Sequence, residues 1–232
     1  MKSIGIVGGF GGYATLDFYR RLLERFSSEN ERGLPHIIMD CDFQMPSRTK
    51  AILTGEGYFD VIKAIENSLR RLLHYNVDYI VLVCGNAHNF LPDIYSRLPE
   101  ARCKVVNMVD VVGAALNRDG VKKVLVLASE GSLTKHLYSN VFIKYDIKCI
   151  EPGIAEFPLI RKFIETIKRN ESSLGGEMID FIEQYDVKDV ILGCTELPVL
   201  LDRAKAKYSI TFNTYDPLEY VLDYLYENIA YK

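Results

Sequence analysis

Residues 80–84, IVLVC, and residues 123–128, KVLVLA, are short and almost wholly apolar. A strand with one face in water alternates apolar and polar side chains. An unbroken run of strand length must instead be covered on both faces, and helices are the usual cover. With these two, the strand-length runs are Ser3–Gly8, His36–Phe43, Tyr79–Cys84, Val105–Asn107, Lys123–Ala128, Ile147–Ile150, Val190–Cys194 and Ser209–Phe212. Amphipathic stretches lie between them. Tyr13–Ser28 sets Leu16, Tyr19, Leu22, Leu23 and Phe26 on one face, and Asp60–His74, Phe157–Lys168, Gly176–Gln184 and Pro217–Ile229 behave alike. The alternation predicts an α/β fold with right-handed crossovers and parallel sheets flanked by helices, a Rossmann-like three-layer sandwich.

The pattern occurs twice. KSIGIVGGFGGYA from Lys2 matches KKVLVLASEGSLT from Lys122 as strand, small-residue turn and helix. VDYIVLVCGNAH, with its strand ending at Cys84, matches VKDVILGCTELP, with its strand ending at Cys194. The offsets are 122 − 2 = 120 and 194 − 84 = 110, in the same order. This predicts two similar lobes related by a pseudo-twofold axis. The expected division is residues 1–104 plus 215–232 for the N-terminal lobe and 105–214 for the C-terminal lobe. No Pro-, Gly- or Ser-rich linker separates them, so they should pack closely, with the last helix crossing back onto the first lobe.

Composition excludes several partners. The net charge is −3 and the 28 Lys and Arg residues are dispersed, which leaves no footprint for nucleic acid. No apolar run approaches the ~18 residues of a membrane span, and no signal peptide precedes the first strand. The expected location is the cytoplasm. Five widely spaced cysteines, with no C-x-x-C pair, argue against a disulfide framework, and with only four histidines no metal site is expected.

Ligands of open α/β sheets bind beyond the carboxyl ends of the strands. Four such ends are unusual here: the Gly8–Gly12 turn, Cys84, Ala128–Ser132 and Cys194. In the first, Gly9, Gly11 and Ala14 fit the G-x-G-x-x-[G/A] dinucleotide spacing, with Asp40 or Asp42 as the ribose-binding acid. That leaves a nicotinamide oxidoreductase open as one reading, although it gives Cys84, Cys194 and the duplication no role. Both cysteines close an apolar strand and precede a helix start, where a thiolate is stabilised and the pKa is expected to fall toward neutrality. Cys41, Cys103 and Cys149 read as small buried hydrophobes. Cys84 and Cys194 hold equivalent positions, so facing lobes would set two sulfurs on opposite sides of one cleft. That geometry suits removal of an α-proton from one face of a carbon and return of a proton to the other.

At these residues the chain resembles the aspartate/glutamate racemase family, cofactor-independent enzymes that invert amino acids with two cysteines, over nearly its whole length. GGFGGYAT is similar to the family's GG-x-G-x-x-AT signature, CGNAH at Cys84–His88 to its C-N-T-A-H, GCTELP at Gly193–Pro198 to its second cysteine motif, and PSRT at Pro46–Thr49 to its P-D-R-T. The resemblance implies Cys84 and Cys194 as the catalytic pair, Arg48 and Lys168 as grips for a side-chain carboxylate, and no cofactor. It also implies a homodimer that acts on aspartate or glutamate. Asn86, Thr195, Ser129, Ser132 and Gly9 are then candidate donors to the α-carboxylate. Gly85, His88, Glu196 and Thr15 are supporting candidates, with His88 and Glu196 placed to orient or tune the thiols. One departure stands out: the family's Asn-Thr after the first cysteine is Gly85-Asn86. Weakened catalysis, a non-catalytic amino-acid-binding module, and a maleate isomerase or hydantoin racemase stay open beside aspartate racemisation.

Overall fold

The structure, a computed structural model, describes residues 2–27, 33–171 and 173–230. Its strands form two parallel sheets. One contains β1 (Ser3–Gly8), β2 (His36–Cys41) and β3 (Tyr79–Leu82) in the order β2-β1-β3. The other contains β4 (Lys123–Leu127), β5 (Lys148–Ile150), β6 (Asp189–Leu192) and β7 (Asn213–Tyr215) in the order β5-β4-β6-β7. The triplet β2-β1-β3 thus recurs as β5-β4-β6, as the duplicated sequence predicts. In each triplet the first strand is central and its successors lie on opposite sides. The carboxyl ends of β1 and β4 are therefore the switch points where such sheets open a crevice.

Helices cover the sheets: α1 (Gly12–Arg25), α2 (Arg48–Thr54), α3 (Tyr58–His74), α4 (Leu91–Arg97), α5 (Met108–Arg118), α6 (Glu130–Thr134), α7 (Leu137–Phe142), α8 (Phe157–Lys168), α9 (Gly175–Glu183), α10 (Glu196–Lys205) and α11 (Pro217–Ile229). Helix α3 lies on β1 and β2, α10 on α8 and α9, and α11 on α1 and α5. One apolar core runs through both lobes, from Ile4, Ile6 and Phe18 to Val126, Ile191 and Leu222, so the lobes share an interior. None of the described helices is long and apolar enough to cross a membrane.

Three local expectations are corrected. Ser28, the last residue expected in the first helix, lies outside the described residues. In the described part of that helix, Ala14, Thr15, Phe18 and Leu22 face inward and Leu16 is 64% exposed. The inward stripe is Phe18–Leu22–Phe26, at i, i+4 and i+8. Along the edge of that stripe Arg21 and Arg25 pair with Asp216 and Glu219 of the α11 start. Complete burial of Phe18 stabilises this orientation by about 1.5–3 kcal/mol. The strand expected at Ser209–Phe212 forms instead at Asn213–Tyr215. Asn213 Nδ2 and Tyr215 Oη both donate to Asp189 Oδ1, at 2.9 and 2.8 Å, and fix the register. Residues 105–107 contribute one parallel bridge, Ile80 to Val105, before Asn107 caps α5 by accepting from the Val109 and Asp110 amides.

Candidate active site

The two cysteines leave their sheets in the same way. Val83 N donates to Val7 O at 3.0 Å and Gly193 N donates to Leu127 O at 2.6 Å, and these bonds end the two ladders. Cys84 and Cys194 are the next residues. Each chain then turns at once: Ala87 N donates to Cys84 O, and Leu197 N to Cys194 O. The two turns touch, because a β-carbon on Gly85 would lie 2.6 Å from the Gly193 carbonyl oxygen. Tyr138 is wedged beside them and donates to the same carbonyl at 3.2 Å.

A cavity of about 580 Å³ opens between the lobes at this point. Cys84, Asn86, Cys194, Thr195 and Glu196 line it, with Phe10, Met45 and the first turn of α2 on one side and α8 on the other. Ser47 caps α2 by accepting from Lys50 N, which sets Arg48 at the first helical position. The Arg48 guanidinium stacks 4.9 Å from the Phe10 ring and donates to the carbonyls of Phe10 and Pro46 at 2.8 and 3.1 Å. Its Nε is buried with no hydrogen-bond partner. Lys168 lines the cavity from the last turn of α8 and forms no ion pair among the described residues.

Asn86 is buried and held on two sides. Its Nδ2 donates to Thr49 Oγ1 at 3.0 Å, and its Oδ1 accepts from Asn89 Nδ2 and Ser132 Oγ. Ser132 does not line the cavity; it orients Asn86, while Ser129 lines the wall and donates to Ser132 Oγ at 3.3 Å. His88 is buried beneath the first turn. Its Nδ1 lies 3.1 Å from Cys84 O and its Nε2 accepts from Met108 N, so these bonds assign the proton to Nδ1. Burial lowers its pKa and keeps the imidazole neutral. It braces the Cys84 backbone and makes no bond to either thiol.

Glu196 makes the thiol contact that His88 lacks. Its Oε2 accepts from Cys194 Sγ and from Thr195 Oγ1, each at 3.1 Å, and the residue is 5% exposed. The expectation of a thiol lowered by its helix start fails here. Burial pushes Cys194 well above the ordinary cysteine range, and the charge and hydrogen bond of Glu196 push it further, against a smaller pull from Lys168.

Gly9 and Thr15 stand apart from the main cavity. Gly9 adopts φ +83° and its α-carbon faces the Asp42 backbone, a fit that only glycine allows. It lines a smaller neighbouring cavity of about 240 Å³. The Thr15 hydroxyl donates to Gly11 O and lines neither space. The turn is also poorly suited to a dinucleotide. Asp40 is held by Arg71 through two bonds of 2.8 Å, and the Glu196 carboxylate rests against Gly11 where a pyrophosphate would need to sit. No group of three or more metal-ligating side chains is present among the described residues.

Several lining residues escaped the sequence reading, among them an ion pair and one face of α8. Glu130 is buried at the start of α6, and its Oε1 accepts from Arg161 Nε and Nη2 at 3.1 and 2.5 Å. Arg161, Ile164, Glu165 and Lys168 all line the cavity from one face of α8. Their i, i+3, i+4, i+7 spacing was visible in the sequence once Lys168 was singled out.

Fold and cleft together define a two-lobed α/β protein with one pseudo-symmetric site between the lobes. The chain belongs to the Asp/Glu/Hydantoin racemase family, whose profile matches residues 7–222. Picrophilus torridus aspartate racemase superposes with a TM-score of 0.83 at 23% identity, covering 98% of this chain and 94% of that one. An aspartate racemase homologue from Pyrococcus horikoshii OT3 gives a TM-score of 0.76 at 23% identity, over 99% of this chain and 100% of that one. Francisella tularensis glutamate racemase in complex with D-glutamate gives 0.71 at 18% identity, over 99% of this chain and 81% of that one. In sequence, the glutamate racemase of Hydrogenobaculum sp. is 23% identical over 152 residues, 63% of this chain and 56% of that protein. At these identities the structural likeness speaks to the fold.

Proposed function

We propose that the protein is an aspartate racemase that inverts Cα by two-thiol proton transfer without pyridoxal phosphate. The observation that carries this reading is the pair of equivalent strand-end cysteines lining one cavity with Arg48 and Lys168. One sulfur, as thiolate, takes the Cα proton. The other, as thiol, donates its own proton to the opposite face, and the roles exchange for the other enantiomer. The developing carbanion needs prearranged donors around the α-carboxylate. Asn86, fixed by Thr49, Asn89 and Ser132, supplies one through the Nδ2 hydrogen it does not give to Thr49, and the Thr195 and Ser129 hydroxyls supply others by turning from Glu196 and Ser132. Arg48 holds the side-chain carboxylate as a planar fork and Lys168 adds a point charge. In this reading the enzyme is a cytoplasmic homodimer, with residues 1–104 and 215–232 forming one lobe and 105–214 the other.

The size of the cavity, about 580 Å³, favours a second substrate. Pockets in this range accept ligands larger than aspartate, and glutamate fits the same charge pattern. The test incubates L-aspartate, and separately L-glutamate, with the enzyme in D₂O and no added pyridoxal phosphate. Cα deuteration and formation of the D-isomer are expected. Absence of both with both substrates rejects the reading.

A further inference from the structure

The smaller cavity raises a question that the cysteine pair alone does not answer. It is lined by the Gly9–Ala14 turn, Phe43, Ile167, Lys168 and Glu196, and of these only Phe10, Lys168 and Glu196 also line the main cavity. The Glu196 carboxylate is divided between the two spaces. Oε2 accepts from Cys194 Sγ at 3.1 Å on the main-cavity side. Oε1 lies against Gly11, a wall residue of the smaller cavity only, and a β-carbon there would come within 2.6 Å of it. Among the described residues Oε1 accepts no hydrogen bond and Glu196 forms no ion pair. A buried carboxylate normally has such partners. This one has a thiol on one oxygen and open space beside the other.

We infer that Glu196 relays protons between Cys194 and solvent in the smaller cavity, so that Cys194 exchanges its proton while substrate fills the main cavity. The inference rests on the racemase reading above. In the unloading step the S–H bond of Cys194 breaks, an O–H bond forms on Glu196, and the electron pair stays on sulfur. The carboxyl then turns about its Cγ–Cδ bond, which carries the protonated oxygen to the smaller cavity, where the O–H bond breaks and water takes the proton; the reverse sequence reloads the thiol. Glu196 acts through Cys194 and does not act on substrate. Cys84 has no such counterpart: its thiol makes no hydrogen bond to a titratable side chain among the described residues, His88 contacts its carbonyl and is sealed beneath the Met108 amide, and the buried Tyr138 hydroxyl is given to Gly193 O. The two thiols are therefore unequal in how they meet solvent, although they are alike in position.

The consequence is isotopic. The enantiomer whose proton Cys194 removes can have that proton exchanged and replaced on the same face before inversion. The enantiomer served by Cys84 cannot. The test incubates each enantiomer of aspartate, and of glutamate if aspartate is inert, in D₂O. At low conversion the isomers are separated and deuterium in the unconverted isomer is read by mass spectrometry. One enantiomer is expected to label in place at least fivefold faster, relative to its inversion, than the other. Glu196→Gln removes the acceptor, and Gly11→Ala keeps the carboxylate but displaces Oε1; each is expected to bring the ratio within twofold of unity. Racemisation with equal labelling in the wild type, or asymmetry that survives both variants, overturns the relay and leaves the racemase reading intact. Neither labelling nor inversion of either amino acid overturns both.

Discussion

The carbonyl oxygen of Gly193 occupies the space that a side chain on Gly85 would need, at 2.6 Å from the ideal β-carbon. The contact joins the two cysteine-bearing turns back to back across the lobe boundary. The obstacle is backbone and cannot swing aside, and Tyr138 blocks retreat by donating to that same carbonyl. Gly85 therefore serves the approach of the lobes, and its bare α-carbon faces protein. Gly85→Ala is expected to destabilise by about 1–3 kcal/mol, as overpacking does. That corresponds to a fall in Tm of roughly 3–10 °C for a chain of this length. Gly85→Asn, which restores the residue that the family motif has here, should be worse than alanine. Thermal unfolding of the two variants checks this, and an asparagine variant as stable as the wild type would show that the turn adapts.

The cysteine pair is expected to act as a unit. Cys84→Ala and Cys194→Ala should each reduce racemisation of aspartate by at least the ~10²–10⁴-fold typical of a positioned acid or base. Both positions line a cavity and replacement by alanine removes little volume, so folding should be unaffected; circular dichroism and unfolding curves verify that. Racemisation within threefold of wild type in either variant rules out the two-thiol assignment.

The sheets, their order and the site's position at strand ends were legible because apolar runs and a duplicated strand–turn–helix signal are local. What escaped depended on contacts between distant residues. Leu16 and Phe18 are both apolar, and which of them faces inward goes with contacts to distant elements, among them the Arg21 and Arg25 pairings with the α11 start. The strand at Asn213–Tyr215 is set by Asp189, 24 residues before Asn213. The charge state of Cys194 was misread for the same reason. Its helix start is visible in the sequence, whereas its burial and the orientation of Glu196 toward Sγ are tertiary facts. Gly85 read as a departure from a motif until Gly193 supplied its neighbour.

Arg48 and Lys168 should differ in their contributions to binding. Arg48 is fixed by stacking on Phe10 and by two carbonyls, and its remaining donors are preorganised for a planar carboxylate. Arg48→Lys forfeits that fork. A hydrogen bond to a charged group contributes about 1.5–3 kcal/mol, so KM for aspartate should rise roughly 10–150-fold with a smaller change in kcat. Lys168 is exposed, and an exposed charge pair contributes about 0.2–1 kcal/mol. Lys168→Met should therefore raise KM only a few-fold. Steady-state kinetics with both variants measure the contrast, and a larger effect at Lys168 would reverse the assignment.

The reactivity of Cys194 should report Glu196 directly. Burial and the Glu196 carboxylate both disfavour the thiolate, so the folded protein holds the proton on sulfur to a higher pH than a free cysteine does. Glu196→Gln removes the negative charge and the hydrogen bond that favours the thiol, leaving burial in place. The pKa of Cys194 is therefore expected to fall, though not below the ordinary range. Alkylation by iodoacetamide, followed residue by residue by mass spectrometry, should rise about tenfold per pH unit across pH 7–9 in the wild type. In Glu196→Gln the same curve should move to lower pH. Cys103, which is exposed and not the buried hydrophobe expected from the sequence (Cys41 and Cys149 are half-buried), provides an internal rate reference in each sample. Unchanged or slower labelling of Cys194 in the variant would mean that Glu196 does not raise its pKa.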